Sequence, residues 1–268
     1  MKANKKVIVV TGAGNGIGRA VTLNLISKGA KVFGVDLSEE RLQETLALTH
    51  PDSFKFAAIS VAEKDQVEAL PSKVIEAFGQ VDAIFNVAGI IHPFIKVEQL
   101  DYDRIERVMQ VNFYGTLYMV KSFIPHLLKR PEGHIVNISS MGGFIPVPGQ
   151  TIYGASKAAV KLLSEGLHSE LQETKVGVTV VFPGGVSTNI TGNSGVDTSK
   201  MMEKVANSKT QVKTLTPDQA AELIVNGMET NQYQVYAGND SKMLNVFTRI
   251  SPRRAAKIIA EQLKSLLG

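Results

Sequence analysis

The sequence predicts a doubly wound α/β sandwich: a central, mainly parallel seven-stranded sheet covered by helices on both faces. Three observations predict it. Short strand-like and longer helix-like segments alternate through most of the 268 residues, the order that builds parallel sheets through crossover helices. Most of the strand-like segments are continuous apolar runs, as strands buried on both faces require. The first of them runs directly into the glycine-rich stretch Thr11-Gly12-Ala13-Gly14-Asn15-Gly16-Ile17-Gly18 at the mouth of a helix.

In chain order, Lys6–Val10 reads as the first strand and Gly16–Ser27 as the first helix. The glycines between them allow positive φ and remove the Cβ atoms that would keep a ligand off the main chain. Backbone N–H groups at the helix start then face a bound anion, as a diphosphate site requires; a tight strand-to-helix turn is the alternative that this stretch alone leaves open. Lys31–Val35 is the second strand and delivers Asp36 about two dozen residues beyond Gly12. An acid there accepts hydrogen bonds from a ribose diol and repels a 2′-phosphate. Neither Asn15 nor Leu37 supplies a cation for that phosphate, so NAD is favoured over NADP. Asp36 could instead cap the next helix, Glu39–Ala47, a role Ser38 can also fill.

Phe54–Ile59 is the third strand, and Lys64–Phe78 a helix that Pro71 should kink or split. Val81–Phe85, His134–Ile138, Gly177–Phe182 and Tyr233–Tyr236 complete the sheet. Between them lie helical segments from about Asp101 to Lys129, from Gln150 to Gln172 and from Pro217 to Thr230. Asn112 stands inside the first of these among apolar neighbours, an unfavourable choice for a helix interior. Tyr153 and Lys157, four apart, share one face of the second. A tyrosine with its ordinary pKa near ~10 is a poor base at neutral pH, and a neighbouring ammonium lowers that value; Lys157 is the expected source. The strand ending at Ile138 runs into Ser139 and Ser140, which could orient a substrate oxygen or form a solvated turn.

The spacing Thr-Gly-x3-Gly-x-Gly, Asn86-Val87-Ala88-Gly89, Asn112, Ser140, Tyr153-x3-Lys157 and Pro183-Gly184 together resemble the short-chain dehydrogenase/reductase family, with its Rossmann fold, in register from about Lys6 to Tyr236. The resemblance implies a catalytic tetrad of Asn112, Ser140, Tyr153 and Lys157. Ser140 is chosen because it lies thirteen residues before Tyr153, with Ser139 as the fallback. In this reading Asn112 holds a proton-relay water through its backbone carbonyl, and Lys157 also holds the nicotinamide ribose. The implied cofactor set is Gly12, Asn15, Gly16, Ile17, Gly18, Asp36, Leu37, Ser60, Val61, Asn86, Ala88, Gly89, Tyr153, Lys157, Pro183, Gly184, Val186 and Thr188. Two positions depart from the family's pattern. Val87 replaces a usual asparagine, and Ser60-Val61 stand where an acid often touches the adenine.

The implied reaction is hydride transfer between a nicotinamide cofactor and a secondary alcohol or ketone, with Tyr153 moving the proton and Ser140 and Tyr153 on the substrate oxygen. Substrate contacts are expected from Phe94, Phe144 and Gly185, with His92 and Gln150 nearby and residues 189–212 as a lid. Phe94, Phe144, Ile145 and Pro146 point to a lipophilic substrate. The family also implies a homodimer or homotetramer built through segments 101–129 and 150–172. Epimerase or dehydratase chemistry on nucleotide sugars belongs to longer relatives with another glycine spacing. A dinucleotide-sensing binding protein is the alternative function, and such proteins usually lose part of the tetrad that is intact here.

Composition narrows the remaining classes. The chain has no cysteine, which excludes disulfides and thiol catalysis and fits a reducing compartment. The apolar run before the glycines is too short for a signal-peptide core and no stretch is long enough to span a bilayer, so a cytoplasmic protein is expected. The five histidines lack metal-ligand spacing, and no metal is expected. Of the formal charge of +4, the stretch Ser241–Gly268 carries six Lys/Arg and one acid, leaving the body near neutral and giving no reason to expect nucleic acid as a partner. The chain therefore divides into one nucleotide-binding domain over 1–240 and a basic amphipathic tail over 241–268. Pro252 can open a helix there, with Ala255, Ile258, Ile259, Leu263, Leu266 and Leu267 at helical spacing. That helix packs on a neighbouring subunit or on its own body, or touches an anionic membrane surface.

Overall fold

The computed structural model describes residues 1–195 and 214–263. Strands β1 (Val7–Thr11), β2 (Lys31–Asp36), β3 (Phe54–Ala58), β4 (Ala83–Asn86), β5 (Gly133–Ile138), β6 (Val176–Pro183) and β7 (Gln234–Ala237) form one sheet in the order β3-β2-β1-β4-β5-β6-β7. Every pairing is parallel; β1 lies between β2 and β4, with Val9 opposite Phe33 on one side and Ile84 on the other.

The helices, numbered in chain order among the described residues, are α1 (Gly16–Ser27), α2 (Glu39–Ala47), α3 (Lys64–Glu68), α4 (Leu70–Phe78), α5 (Tyr102–Met109), α6 (Gly115–Leu127), α7 (Thr151–Glu170), α8 (Ile190–Asn193), α9 (Pro217–Glu229), α10 (Asn239–Ile250) and α11 (Pro252–Leu263). Alternate strand residues serve two cores, as the period of two dictates. Ile8, Val10, Phe85 and Val181 pack beneath α1 and α9 against Leu25, Ile224 and Met228. Val7, Val9, Ile84 and Ile135 pack on the other face against Val74 of α4 and Phe123 and Leu127 of α6. Each fully buried Leu or Phe in these layers contributes about 1.5–3 kcal/mol.

Two helical segments differ from simple continuity. Lys64–Phe78 is split at Ala69, and Pro71 falls in the first turn of α4, where its missing N–H costs nothing. Segment 101–129 is not one helix: α5 and α6 are joined by a π turn over Gln110–Tyr114, centred on Asn112. In the tail, α11 begins at Pro252 as expected, whereas α10 was not foreseen. Ser241 of α10 is buried and donates from Oγ to Phe182 O at 2.8 Å.

Chain order leaves β1 in opposite directions, to β2 on one side and β4 on the other, so a crevice opens beyond their carboxyl ends. At the opposite end of β4 the fully buried Asp82 ties the sheet together. Its carboxylate accepts from Val7 N, Gln80 Nε2 and Arg130 Nε, each at 2.8 Å. Of the lid expected over residues 189–212, α8 is described and residues 196–212 lie outside the described residues.

Candidate active site

The crevice is a cleft of about 540 Å³ along the carboxyl ends of the strands. Its nucleotide end is built from backbone. Thr11 Oγ1 accepts from Val87 N at 2.9 Å and Ala88 N at 3.0 Å, joining the ends of β1 and β4 across the switch point. The next residue, Gly12, has φ +71°, and a Cβ there would lie 3.2 Å from Ala88 Cα. Only glycine gives the chain both that turn and that close approach. Asn15 then caps α1, its side chain accepting from Gly16 N at 2.7 Å.

Asp36 forms the polar wall. Its Oδ2 accepts from Gly14 N at 3.0 Å and its Oδ1 from Ser38 N at 3.1 Å. Ser38, not Asp36, caps α2, its Oγ accepting from Arg41 N at 3.3 Å. The acid is therefore left to the cleft, beside the exposed Leu37. These features fit a nicotinamide dinucleotide: a glycine cradle that a Cβ would fill, a helix N-terminus for the diphosphate and a carboxylate for the ribose.

The catalytic end hangs on Asn112, which is fully buried. Its Oδ1 accepts from Ile90 N at 2.8 Å, and its Nδ2 donates to Ile90 O and to Ser156 Oγ, both at 2.9 Å. Ser156 Oγ in turn donates to Tyr153 O at 2.7 Å. The side chain thus joins the loop after Gly89 to the helix carrying Tyr153 and Lys157. Its backbone carbonyl, the atom expected to hold a water, accepts from Thr116 Oγ1 at 2.8 Å and keeps a second lone pair. The next two loop residues are tethered in turn. Ile91 N donates to Ser194 Oγ at 3.0 Å, and His92 O accepts from Gln150 Nε2 at 2.5 Å.

Geometry separates the two serines. Ser139 is buried and donates to Lys157 O at 2.7 Å, so it is committed to the scaffold. Ser140 lines the cleft with Tyr153, accepts from Gly142 N at 3.0 Å and favours the Tyr153 phenolate. Lys157 is 4% exposed and donates from Nζ to Ile138 O at 2.9 Å, with Nζ 5.9 Å from the centroid of the Tyr153 ring.

The charges here correct one expectation. Tyr153 is raised above the ordinary tyrosine value, because burial penalises the phenolate more than the Ser140 hydrogen bond stabilises it. Lys157 is itself pushed down to about 8 by burial. In the chain by itself the ammonium therefore does not make Tyr153 a strong base. What the site provides is a protonated tyrosine that shares the cleft lining with Ser140 and is backed by a lysine close to its own titration point.

The cleft gathers all the expected cofactor residues except Asn86, together with Ser140. Asn86 is buried and donates from Nδ2 to Asn137 Oδ1 at 2.8 Å, while Asn137 donates to Ser164 Oγ at 2.9 Å. It stitches β4 to β5 and to α7, a stabilisation retained although Val87 replaces the second asparagine. Phe94, Phe144 and Gly185, expected at the substrate, lie outside the cleft lining. The Phe144 ring packs edge-on to Phe182 and Tyr236, at 5.4 and 6.1 Å between centroids. Gly185 N donates to Asp240 Oδ2 at 2.9 Å. Phe144, one of the aromatics on which a lipophilic pocket was argued, is thus engaged in packing. Sequence reasoning missed Thr11 and Ser156, which act as straps, and Arg41 and Arg107, which line the cleft. Arg41 stands one helical turn from Ser38 on α2, a position that the neighbours of Asp36 alone do not reveal.

The family described as short chain dehydrogenase matches over residues 6–199. SadH of Mycobacterium tuberculosis (strain H37Rv) is 37% identical over 260 residues, covering 95% of this chain and 94% of that one. Among solved structures, a short chain dehydrogenase/reductase from Burkholderia phymatum in complex with NAD superposes with a TM-score of 0.86 at 26% identity, covering 95% of this chain and 96% of that one. A short chain dehydrogenase from Burkholderia cenocepacia J2315 in complex with NADP shares the fold, with a TM-score of 0.81 at 23% identity over 97% of this chain and 99% of that one.

Proposed function

The chain belongs to the short-chain dehydrogenase family of oxidoreductases, and from that premise we propose that it transfers hydride between a nicotinamide cofactor and a secondary alcohol or ketone, with Tyr153 as general acid and base. The observation that carries this reading is the meeting of Ser140, Tyr153 and Lys157 in the lining of the cleft, with Lys157 Nζ 5.9 Å from the centroid of the tyrosine ring. When bound, the nicotinamide supplies or accepts the hydride. The glycine turn Gly12–Gly18 and Asp36 hold its dinucleotide part, and the stretch from Pro183 to Thr188 holds its amide.

The chain's own residues handle the proton. In reduction, Tyr153, protonated at neutral pH, donates to the developing alkoxide while Ser140 holds the same oxygen. In oxidation Tyr153 takes the proton back, helped by the positive charge of Lys157 beneath it. Asn112 orients these groups through Ile90 and Ser156. The tetrad is complete, which favours turnover over a purely sensing role. Of the two nicotinamide cofactors, Asp36 favours NAD. Arg41 on the same cleft wall favours a second reading, in which a 2′-phosphate is accepted as well. Homo-oligomerisation through α6 and α7 is part of the proposal, supported by the exposed Tyr114, in the π turn that leads into α6, and Leu162 on α7.

The test is reduction of a carbonyl panel, graded from small diketones to steroids and long-chain ketones, with NADH and NADPH side by side. Turnover on one size class, faster with NADH, is expected. Tight NADH binding with no turnover across the panel would transfer the assignment to the sensing role.

A further inference from the structure

We propose that the outer face of α10 docks on an anionic lipid surface. The helix is anchored by its first turn: Asp240 Oδ2 accepts from Gly185 N at 2.9 Å, and Ser241 Oγ donates to Phe182 O at 2.8 Å. Among the described residues, that anchorage leaves one side without a partner. Met243, Val246 and Ile250, at positions i, i+3 and i+7, are 66, 51 and 78% exposed. With Phe247, Asn239 and Lys242 they line one shallow surface hollow. Three large apolar side chains in line on one helix form the kind of exposed patch that marks an interaction site, unlike scattered single residues.

Cations outnumber acids around the stripe. Lys242 and Arg249 border it on α10, and Arg253, Arg254 and Lys257 follow at the start of α11; all five are exposed. Across 239–261 the acids are Asp240, occupied by Gly185 N, and Glu261, which pairs with Lys257 at 4.0 Å. The basic tail foreseen from sequence is therefore resolved differently. Ala255 and Ile259 of α11 are buried, so the core of that helix's apolar face packs on its own body, and the docking face belongs to α10.

The occupant follows from charge. A two-fold contact with a second copy through this stripe would bring the same cations against one another, whereas anionic headgroups neutralise them while the acyl region takes Met243, Val246 and Ile250. The anchor also connects the face to the cleft, because Gly185 follows Gly184 on the cleft wall.

The test is co-sedimentation of the full chain with phosphatidylcholine vesicles, with and without phosphatidylglycerol. The protein is expected to pellet with the anionic vesicles alone, and to be released at about 0.5 M salt, where exposed charges are screened within a few ångströms. Each cation near such a surface is worth roughly five-fold in binding, so the pair Arg253→Gln and Arg254→Gln weakens it about 25-fold. The pair Val246→Ser and Ile250→Ser, at exposed positions, weakens it at least ten-fold with unchanged circular dichroism and thermal unfolding. Absence of binding at low salt overturns the proposal, as does equal binding to zwitterionic vesicles or to the variants. So does an oligomer that Val246→Ser and Ile250→Ser dissociate without any vesicle binding by the wild type, which would make the stripe a contact between copies.

Discussion

Replacing Lys157 by methionine should destroy turnover and stabilise the fold, and the size of the second effect follows from the structure. Lys157 is buried, its Nζ donates to Ile138 O at 2.9 Å, and among the described residues it has no carboxylate partner. Burial pushes its pKa down to about 8, from an ordinary 10.5. At neutral pH, keeping the ammonium in place therefore costs about 3 kcal/mol of folding stability. The sign is fixed by the direction of the shift. The folded pKa is the lower one, so the cost is present in full below about pH 8 and disappears as pH rises towards 10.5, where the unfolded chain also loses the proton. Lys157→Met has no such cost, but it leaves the Ile138 carbonyl unpaired, at about 1–2 kcal/mol. The variant should be about 1–2 kcal/mol more stable than the wild type near pH 7, and this advantage should vanish and reverse near pH 10. Urea unfolding of both proteins at matched pH values measures the difference, in which groups common to both cancel. A difference that stays constant with pH would refute the argument that a charged lysine is being held in this site against its solvation. Turnover should fall by about 100-fold or more in either direction.

Two further outcomes test the scaffold and the cofactor wall. Asp82→Ala strands Arg130, Gln80 Nε2 and Val7 N at the buried end of the sheet and should cost about 3 kcal/mol, a fall in Tm of roughly 5 °C for a chain of this length; an unchanged Tm would show that the network is solvated. Asp36→Ala combined with Leu37→Arg removes one charge-assisted partner for the ribose and adds one for a phosphate, and should shift the NADPH over NADH preference in kcat/KM by about 100-fold. If the ratio does not move, Arg41 already dominates cofactor choice.

The parts of this molecule that were legible from sequence are those in which one residue type is forced by local geometry. Gly12 at φ +71° against Ala88, Pro71 in the first turn of α4 and the four-residue spacing of Tyr153 and Lys157 are of this kind. So are the apolar strand runs, whose burial on both faces needs no partner to be specified. What was not legible depends on long-range placement. A π turn differs from an α turn by a shift of one hydrogen-bond partner, and Asn112 carries no periodic mark of it; its reason is visible only once Ile90 and Ser156 are seen on its side chain. Helix α10 escaped because its apolar residues face outward, so no buried stripe distinguishes it from a tail. Phe144 is apolar enough to line a substrate pocket, but its sequence neighbourhood does not say that it packs edge-on with Phe182 and Tyr236. The raised pKa of Tyr153 has the same origin. The four-residue spacing reveals the neighbouring charge, while the desolvation that raises the tyrosine exists only in the folded chain.

The central claim is that the Tyr153 hydroxyl carries the proton of a nicotinamide-linked carbonyl reduction. The most direct measurement pairs NADH oxidation by the wild type and Tyr153→Phe, on whichever carbonyl the panel selects, with titration of NADH binding to each. Loss of turnover by about 100-fold to 10,000-fold with NADH affinity within a few-fold of wild type is predicted. A Tyr153→Phe protein that keeps full turnover would contradict the account.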